Sequence, residues 1–301
     1  EMSFRVHILP ALGNYRLDQI DRAKMEEFVA GLVKKKISEK SERTLSKDSI
    51  RLIIAALGIL YSEALEKKIV QENPTKALGK FYRQAPKRHE EIEPLTEEES
   101  IVFLQTALEH APTRYPLFLC ALHTGMRSGE IAGLQWSDID WRGKFISVRR
   151  SIVDGQITTV KTKNGRRRMD ISDELLTTLA DLRNWRQEEE LKEGRNEIPE
   201  WIFANQKGNF PDMHTIKSRY FKKLLRKAGL RDIRFHDLRH AYASFLLAQG
   251  EPVTYVSKQL GHANPKITFE IYAHWIPNES QRQAVNRLPS LKTIAPIKAT
   301  N

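Results

Sequence analysis

The sequence predicts a mostly α-helical protein with a small antiparallel β-sheet, an α+β architecture in two domains. Apolar residues recur at helical spacing over long stretches, whereas only three short runs look like strands. The length of 301 residues suggests two domains, and 40% apolar with 29% charged residues is the composition of an ordinary globular protein. The chain can therefore bury hydrophobic cores without disulfides or metals.

Two amphipathic helices are predicted in the N-terminal part of the chain. Their apolar residues follow the i, i+3, i+4, i+7 rule, first at Met25, Phe28, Val29, Leu32 and Val33, and then at Ile50, Ile53, Ile54, Leu57, Leu60, Tyr61, Ala64 and Leu65. Asn73 ends the second helix, because Pro74 pushes the preceding residue out of the α region. We expect these helices to pack face to face in a helical domain that spans residues 1–79.

A linker is predicted over residues 80–94. This stretch is polar and charged, contains Pro86 and Pro94, and shows no apolar period. Thr96 and Glu99 then have the spacing of a capping box, in which each side chain bonds the backbone of the other residue at a helix start. A new domain therefore begins directly after the linker.

The second domain, residues 95–276, combines helices with the three strand-like runs. The runs cover residues 144–149, 156–162 and 167–171. Asn164 and Gly165 lie between the last two runs and favour a tight hairpin, because both central residues of such a turn need positive φ. Past Ile276 the chain becomes basic and poorly periodic, which is typical of a tail over residues 277–301.

Positive charge exceeds negative charge, with 49 Lys and Arg against 38 Asp and Glu and a net charge of +11. A basic chain favours polyanions such as nucleic acid, although surplus lysine also keeps a surface soluble. The longest nearly apolar run, residues 52–61, is far shorter than the ~20 residues of a membrane span, so no membrane association is predicted. Cys120 is the single cysteine and has no partner for a disulfide within the chain, and no signal-like segment is present, so we expect a cytoplasmic protein. Because Glu1 precedes Met2, we also expect the sequence to be a piece of a longer chain.

Two segments of the second domain are candidate functional sites. In the first, Arg127 and Glu130 are three residues apart behind a glycine turn, a spacing that by itself describes a surface ion pair. The second, residues 161–168, has five basic residues in eight, which by itself describes a solvated loop. Lys161 and Lys163 point to the same face of a strand, so either could deliver an ammonium group into a groove.

Two histidine segments follow. His236 and Arg239 share a face at a helix N-terminus, where backbone dipoles favour an anion. His236 and His240 also have the spacing of metal ligands, but the glutamate of the zinc-protease motif and nearby cysteines are absent, so no metal site is predicted. His262 follows a helix-ending glycine, and Tyr272 comes ten residues later among apolar neighbours, where a tyrosine usually belongs to the core.

Together these segments supply the groups needed to attack a phosphodiester. Two arginines can each hold non-bridging phosphate oxygens with a planar fork, and two histidines add donors or move protons. A lysine can protonate the leaving oxygen, while a tyrosine hydroxyl can form a covalent ester. Since no Asp/Glu cluster able to hold magnesium accompanies them, a two-metal nuclease is disfavoured, and neither a metal nor a cofactor is predicted.

The order Arg, Lys, His-x-x-Arg, His, Tyr resembles the tyrosine recombinases, the phage-integrase family of site-specific recombinases. The motifs that carry the resemblance are HTGMRSGEI, HDLRH, LGH and IYAH. Upstream, LGNYRLDQI followed by two helices and ENP is similar to the helical core-binding domain of integrases from phages and conjugative transposons. The resemblance covers almost the whole chain.

The resemblance implies a role for each site residue. Arg127 and Arg239 become the phosphate clamps and Tyr272 becomes the nucleophile. His236 and His262 become supporting residues that act as acid, base or hydrogen-bond donor. Lys161 becomes the general acid, with Lys163 as the alternative, and Glu130 becomes the residue that orients Arg127.

The resemblance also implies an enzyme that cleaves and rejoins DNA through a covalent 3′-phosphotyrosine and a Holliday junction. Residues 1–79 become a core-binding (SAM-like) DNA-binding domain, 95–276 the catalytic domain, and 277–301 a tail that docks on a neighbouring protomer. The implied partners are double-stranded DNA core recombination sites, three further protomers in a homotetramer, and an accessory DNA-bending protein or excision factor. Integrases of this kind often carry an arm-binding domain upstream.

Two other classes share this scaffold. A type IB topoisomerase uses nearly the same chemistry but usually has lysine where His236 stands, and a silent DNA-binding regulator would not need all six catalytic positions filled. A nicked suicide substrate separates an enzyme of either kind, which traps covalent protein, from a regulator, which traps none.

Overall fold

The computed structural model describes residues 2–37, 42–86, 93–159 and 165–276. The chain separates into two compact units, Glu1–Glu91 and Ile92–Asn301. Helices dominate both units, and the strands are few, short and antiparallel. The predicted fold class, mostly α with a small antiparallel sheet, is confirmed.

The first unit is helical. A π-helical turn, Phe4–Ile8, continues into α1 (Leu9–Leu12), and the two long helices are α2 (Arg22–Lys34) and α3 (Lys47–Glu66), with short 3-10 helices at Leu17–Gln19 and Leu78–Tyr82. Asp21 begins α2 by accepting a hydrogen bond from the Lys24 amide, and Ser46 begins α3 in the same way. Most of the apolar residues predicted to face the core are buried, including Met25 and Tyr61.

The start of the predicted linker belongs to this first unit. Tyr82 and Ala85 are buried against its core, and the carbonyl of Pro86 accepts a hydrogen bond from the amide of Lys47. Two isolated apolar residues in a polar stretch have no periodicity, so the sequence pattern could not reveal that they pack. Tyr82 and Ala85 thus pack with the first unit, whereas the bounds and roles predicted for the linker and the domains stay predictions.

The second unit surrounds a buried helix. Its helices are α4 (Glu97–His110), α5 (Tyr115–Thr124), α6 (Ser128–Ala132), α7 (Asp173–Lys192), α8 (Met213–Thr215), α9 (Lys222–Lys227), α10 (Asp237–Ala248), α11 (Val253–Leu260) and α12 (Pro265–Tyr272), with a π-helical turn at Ile216–Phe221 and 3-10 turns at Trp136–Asp138 and Ala273–Trp275. The ring of Phe118 on α5 packs 5.4 Å from Phe103 and 6.1 Å from Phe221. The predicted capping box between Thr96 and Glu99 is confirmed at the start of α4.

Among the residues that the structure describes, five short strands form two separate sheets. They are β1 (Ile139–Asp140), β2 (Phe145–Val148), β3 (Arg150–Val153), β4 (Gln156–Thr159) and β5 (Arg167–Asp170). The order β1-β2-β5 makes one antiparallel sheet, in which Phe145 is opposite Asp170, and β3 pairs with β4 in the other. The described residues thus pair β5 with β2, not with β4.

The predicted hairpin between the last two strand-like runs is therefore wrong in its pairing. The turn that the structure uses is at Asp154 and Gly155, whose φ values are +49° and +74°, as a tight two-residue hairpin requires. Asn164 lies outside the described residues. Two Asx-Gly dipeptides offered the same local signal, and only packing against the rest of the unit decides which one joins neighbouring strands.

Three helices near the end of the second unit share a small core of their own. Its fully buried members are Tyr242, Ala243, Leu247, Val256, Leu260 and Tyr272. This core joins α10, α11 and α12 and fixes the positions of the candidate site residues that they carry. No helix among the described residues has the length and apolar character needed to cross a bilayer.

Candidate active site

Arg127 lies at the beginning of α6, directly after the turn that ends α5. Gly125 makes that turn with φ of +58°, and a Cβ there would lie 2.5 Å from the ring of Tyr242, so only glycine fits. The amide of Arg127 donates to Oε2 of Glu130 at 2.9 Å and its Nη1 donates to Oε1 at 3.0 Å. The guanidinium is anchored at one end, while 46% of the side chain stays exposed.

Glu130 is buried and holds two arginines, so the interpretation as an ordinary surface ion pair is wrong. Arg167 from β5 donates to Oε1 at 3.0 Å and to Oε2 at 2.9 Å. Burial alone raises the pKa of Glu130, but the hydrogen bonds and charge of Arg167, with smaller contributions from Arg127, lower the pKa to about 2. Glu130 is therefore a carboxylate at neutral pH.

Arg239 is buried in α10, and its hydrogen-bond partners among the described residues are two backbone carbonyls. Its Nη1 lies 2.7 Å from the oxygen of Gly125, and its Nη2 lies 2.7 Å from the oxygen of Leu260. Burial lowers the pKa of Arg239 to about 10, and the nearby charge of Arg127 adds to the decrease. The two carbonyls fix the guanidinium plane without neutralising its charge.

His236 and His262 lie close enough to these arginines to be affected by their charges. Burial lowers the pKa of His236, and Arg239 lowers it further. Burial and the charges of Arg239 and Arg127 lower the pKa of His262 to about 4. Nδ1 of His262 is 2.8 Å from Oγ1 of Thr268. His262 is therefore neutral near pH 7, with its ring orientation fixed through one nitrogen.

Tyr272 is the last residue of α12, and only 1% of its surface is exposed. Its hydroxyl lies 2.6 Å from Nδ1 of His240. Burial raises the pKa of Tyr272 to about 12, although the charge of Arg239 acts in the opposite direction. Burial and the neighbouring His236 lower the pKa of His240 to about 4, so a neutral imidazole faces the phenol at neutral pH.

Two residues of this cluster were not among the predicted site residues. His240 belongs to the same HDLRH motif as His236 and lies one helical turn later, and their rings contact edge to face at 5.2 Å. Arg167 was hidden in a run of basic residues that resembles a solvated loop. Arg167 stands at a period of two with the apolar residues Met169 and Ile171, and this alternation is the sequence signal that could have indicated its burial.

The predicted general acid, Lys161, is not among the described residues. Its alternative, Lys163, also lies outside them, so both stay predictions. The spacing of His236 and His240 was considered for a metal, but the described part of the chain has no group of three His, Cys, Asp or Glu side chains able to hold one.

Five of the six predicted catalytic residues thus lie in one electrostatic cluster. Their mutual influence on pKa values links Arg127, Arg239, His236, His262 and Tyr272. In the described part of the chain, Arg127 shares the Glu130 carboxylate with Arg167, and no carboxylate pairs with Arg239. The cluster therefore carries net positive charge near the phenol of Tyr272. Such a cluster can bind a phosphate group and orient a hydroxyl nucleophile toward it.

Comparison with known protein families gives a match over most of the second unit. Residues 93–279 match the model of the phage integrase family. A protein named tyrosine recombinase XerC-like from Caldanaerobacter subterraneus is 33% identical over 267 residues, which cover 82% of this chain and 67% of that protein. The ICEBs1 integrase of Bacillus subtilis is 32% identical over 267 residues, covering 83% and 67%. The chain thus spans about two thirds of the length of these relatives.

Solved structures share the fold. The Tn1549 transposon integrase in complex with transposon right end DNA has a TM-score of 0.74 at 20% identity, covering 96% of this chain and 92% of that one. A lambda integrase dimer bound to a COC′ core site has a TM-score of 0.60 at 21% identity, with 88% and 87% covered.

Proposed function

The chain belongs to the phage integrase family of tyrosine recombinases, and from this premise we propose that it cleaves and rejoins duplex DNA to integrate or excise a mobile element. The observation that supports this most directly is the position of Tyr272. Its hydroxyl contacts His240, the charge of Arg239 affects its pKa, and it lies within the residues 93–279 that match the family.

The first proposed step is capture of the scissile phosphate. Arg127 presents an exposed guanidinium, and Arg239 presents one that is fixed by the carbonyls of Gly125 and Leu260. Each planar group can donate two parallel hydrogen bonds to non-bridging oxygens, where negative charge grows in the transition state. In this proposal His236 and His262, whose pKa values respond to the arginine charges, add further hydrogen bonds to the phosphate.

In the second step, the oxygen of Tyr272 bonds to phosphorus while the bond from phosphorus to the 5′-oxygen breaks. The phenol proton passes to Nδ1 of His240, which is neutral and 2.6 Å away. The leaving 5′-oxygen takes a proton from Lys161, with Lys163 as the alternative. The products are a 3′-phosphotyrosine and a free 5′-hydroxyl, and attack by another 5′-hydroxyl reverses the step to join strands.

The proposed assembly is a homotetramer on two DNA core sites that passes through a Holliday junction. A solved lambda integrase, similar in fold to this chain, is a tetramer bound to a Holliday junction. In this proposal residues 1–79 bind the core site, residues 95–276 perform cleavage, and residues 277–301 dock on the neighbouring protomer. An accessory DNA-bending protein or excision factor sets the direction of the reaction.

Capture of covalent adducts tests the function and identifies the DNA target in the same experiment. The full chain is incubated with a library of random nicked duplexes, denatured, and the DNA that stays attached to protein is sequenced. A recombinase yields adducts with a shared sequence at the attachment point. Tyr272→Phe protein is the matched control, and adducts formed equally by both proteins would overturn the proposal.

A further inference from the structure

Arg167 is a buried arginine of β5 that has no role in the proposed capture of the phosphate. Its side chain is 3% exposed, and that of its partner Glu130 is 5% exposed. The two form a bidentate pair at 3.0 and 2.9 Å between β5 and α6. Since Glu130 also binds the amide and Nη1 of Arg127, every displacement of Glu130 moves the guanidinium of Arg127.

The opposite edge of the Arg167 guanidinium reaches the other half of the site. Its Nε donates to the carbonyl of Gln259 at 2.6 Å, one residue before Leu260, whose carbonyl binds Arg239 at 2.7 Å. Gly261 follows in a left-handed conformation, and a Cβ there would lie 2.9 Å from Nη1 of Arg167. The last residues of α11 therefore contact Arg167 and Arg239 side by side.

The side chain of Gln259 strengthens this junction from the strand. Its Oε1 accepts from the amide of Asp170 at 3.1 Å, and its Nε2 donates to the Asp170 carboxylate at 2.8 Å. Tyr255, one turn earlier in α11, donates to the same carboxylate at 2.9 Å. The end of α11 is thus bonded to both ends of β5.

We propose that Arg167 is a positioning residue that sets the separation and orientation of Arg127 and Arg239. It does so through Glu130 on one side and the Gln259–Leu260 carbonyls on the other, without touching the phosphate. The inference rests on the proposed function, in which these two arginines hold one phosphate group. A misplacement of either by about 1 Å is enough to slow a reaction about 100-fold.

The test compares Arg167→Met with Arg150→Met in the full chain. Arg150 is a matched control, because it also pairs with a buried carboxylate, Asp138, at 2.6 Å and binds the Gly133 carbonyl at 3.0 Å, but it does not contact Glu130. We expect Arg167→Met to slow adduct formation about 100-fold on a nicked duplex recovered from the library, with DNA binding retained. Arg150→Met should cleave at the wild-type rate for the fraction that is folded.

A double substitution separates positioning from general stability. In a Glu130→Gln background, Arg167→Met should cause a smaller further loss than it does in the wild type, because the route through the Glu130 carboxylate is already weakened and only the route through the Gln259 carbonyl remains. Arg167→Lys keeps the positive charge but loses the planar guanidinium that makes two parallel hydrogen bonds, so its rate of adduct formation should lie between those of the wild type and Arg167→Met. Equal losses in Arg167→Met and Arg150→Met, or losses that multiply in the Glu130→Gln background, would overturn the inference.

Acid unfolding provides a readout that needs no DNA. Glu130 contributes stability above pH 4.5, its ordinary pKa, and this contribution is lost as the pH falls toward its folded value of about 2. In Arg167→Met that contribution is missing, so the stability difference from the wild type should shrink as the pH falls across this window. A stability difference between Arg167→Met and the wild type that stays constant with pH would overturn the inference. In the adduct assay, wild-type protein that forms no adduct would contradict only the recombinase proposal.

Discussion

The hydroxyl of Tyr272 and Nδ1 of His240 lie 2.6 Å apart inside a small core where neither side chain is open to solvent. The candidate nucleophile therefore faces a candidate proton acceptor before any DNA is bound. The same contact engages the hydroxyl in a hydrogen bond that attack on a phosphate has to break. Both consequences can be tested by substitution at either end of the hydrogen bond.

Tyr272→Phe removes only the hydroxyl. The loss of one hydrogen bond should lower the free energy of unfolding by about 0.5–1.5 kcal/mol and leave DNA binding intact. Adduct formation should disappear completely, which denaturing gel electrophoresis of labelled DNA will show. Tyr220→Phe, at an exposed tyrosine of the same unit, should form adduct normally. A protease-sensitive shifted band from Tyr272→Phe protein would contradict the assignment of the nucleophile.

His240→Ala should slow adduct formation by about 100-fold, because the phenol loses the neutral imidazole that accepts its proton. Single-turnover cleavage of a nicked duplex measures the rate, and a filter-binding assay confirms that the variant still binds DNA. The control is His214→Ala, since His214 is an exposed histidine of the second unit. A His240→Ala rate equal to that of the control would mean that another group accepts the proton.

Stability should fall as the pH decreases from about 6.5 to about 4. The pKa values of His240 and His262 are lowered in the folded protein, so the unfolded chain binds more protons in this window and gains free energy from them. Chemical denaturation at several pH values will measure the slope. His262→Gln should flatten it, and an unchanged slope in that variant would contradict the lowered pKa.

Arg127→Lys and Arg239→Lys should separate stability from activity. Arg127 is half-exposed, so its replacement should change the free energy of unfolding by less than about 1 kcal/mol while slowing cleavage about 100-fold. Arg239→Lys cannot reach the carbonyls of Gly125 and Leu260 together, and one unsatisfied buried carbonyl costs about 1–3 kcal/mol. Thermal unfolding and single-turnover cleavage of both variants check the contrast.

Gly261→Ala and Gly155→Ala should differ in stability although both glycines have positive φ. At each position, the left-handed conformation costs an alanine about 1–2 kcal/mol. A Cβ at Gly155 meets nothing within 4 Å, whereas one at Gly261 would lie 2.9 Å from Nη1 of Arg167. Denaturant unfolding should therefore show a larger loss for Gly261→Ala, and equal losses would contradict the close approach of α11 to Arg167.

Local patterns were enough to predict much of the fold. Helical spacing identified α2 and α3, and the Thr96 capping box identified the start of α4. The strand pairing was not accessible in this way, because Asp154-Gly155 and Asn164-Gly165 offer the same turn preference. Choosing between them requires the packing of the whole unit, which no short stretch of sequence contains.

The candidate site shows the same division. The predicted residues were found through the order of short motifs, which is a local signal. The contact between His240 and Tyr272 spans 32 positions, and the pair of Arg167 and Glu130 spans 37. Neither pair is visible as a pattern, because the residues meet only after helices and strands pack. Sequence reasoning thus indicated the chemistry but not the groups that support it.

Arg239 occupies a position with a consequence for how this scaffold can change over generations. The carbonyls that it binds belong to Gly125, which ends α5, and Leu260, the last residue of α11, and the negative ends of two helix dipoles therefore converge on one cation. In a relative that no longer cleaves DNA, substitution of Tyr272 would remove one hydrogen bond, whereas substitution of Arg239 would remove the contacts that hold two helix ends together. In relatives that bind DNA without cleaving it, we therefore expect the arginine to be retained more often than the tyrosine.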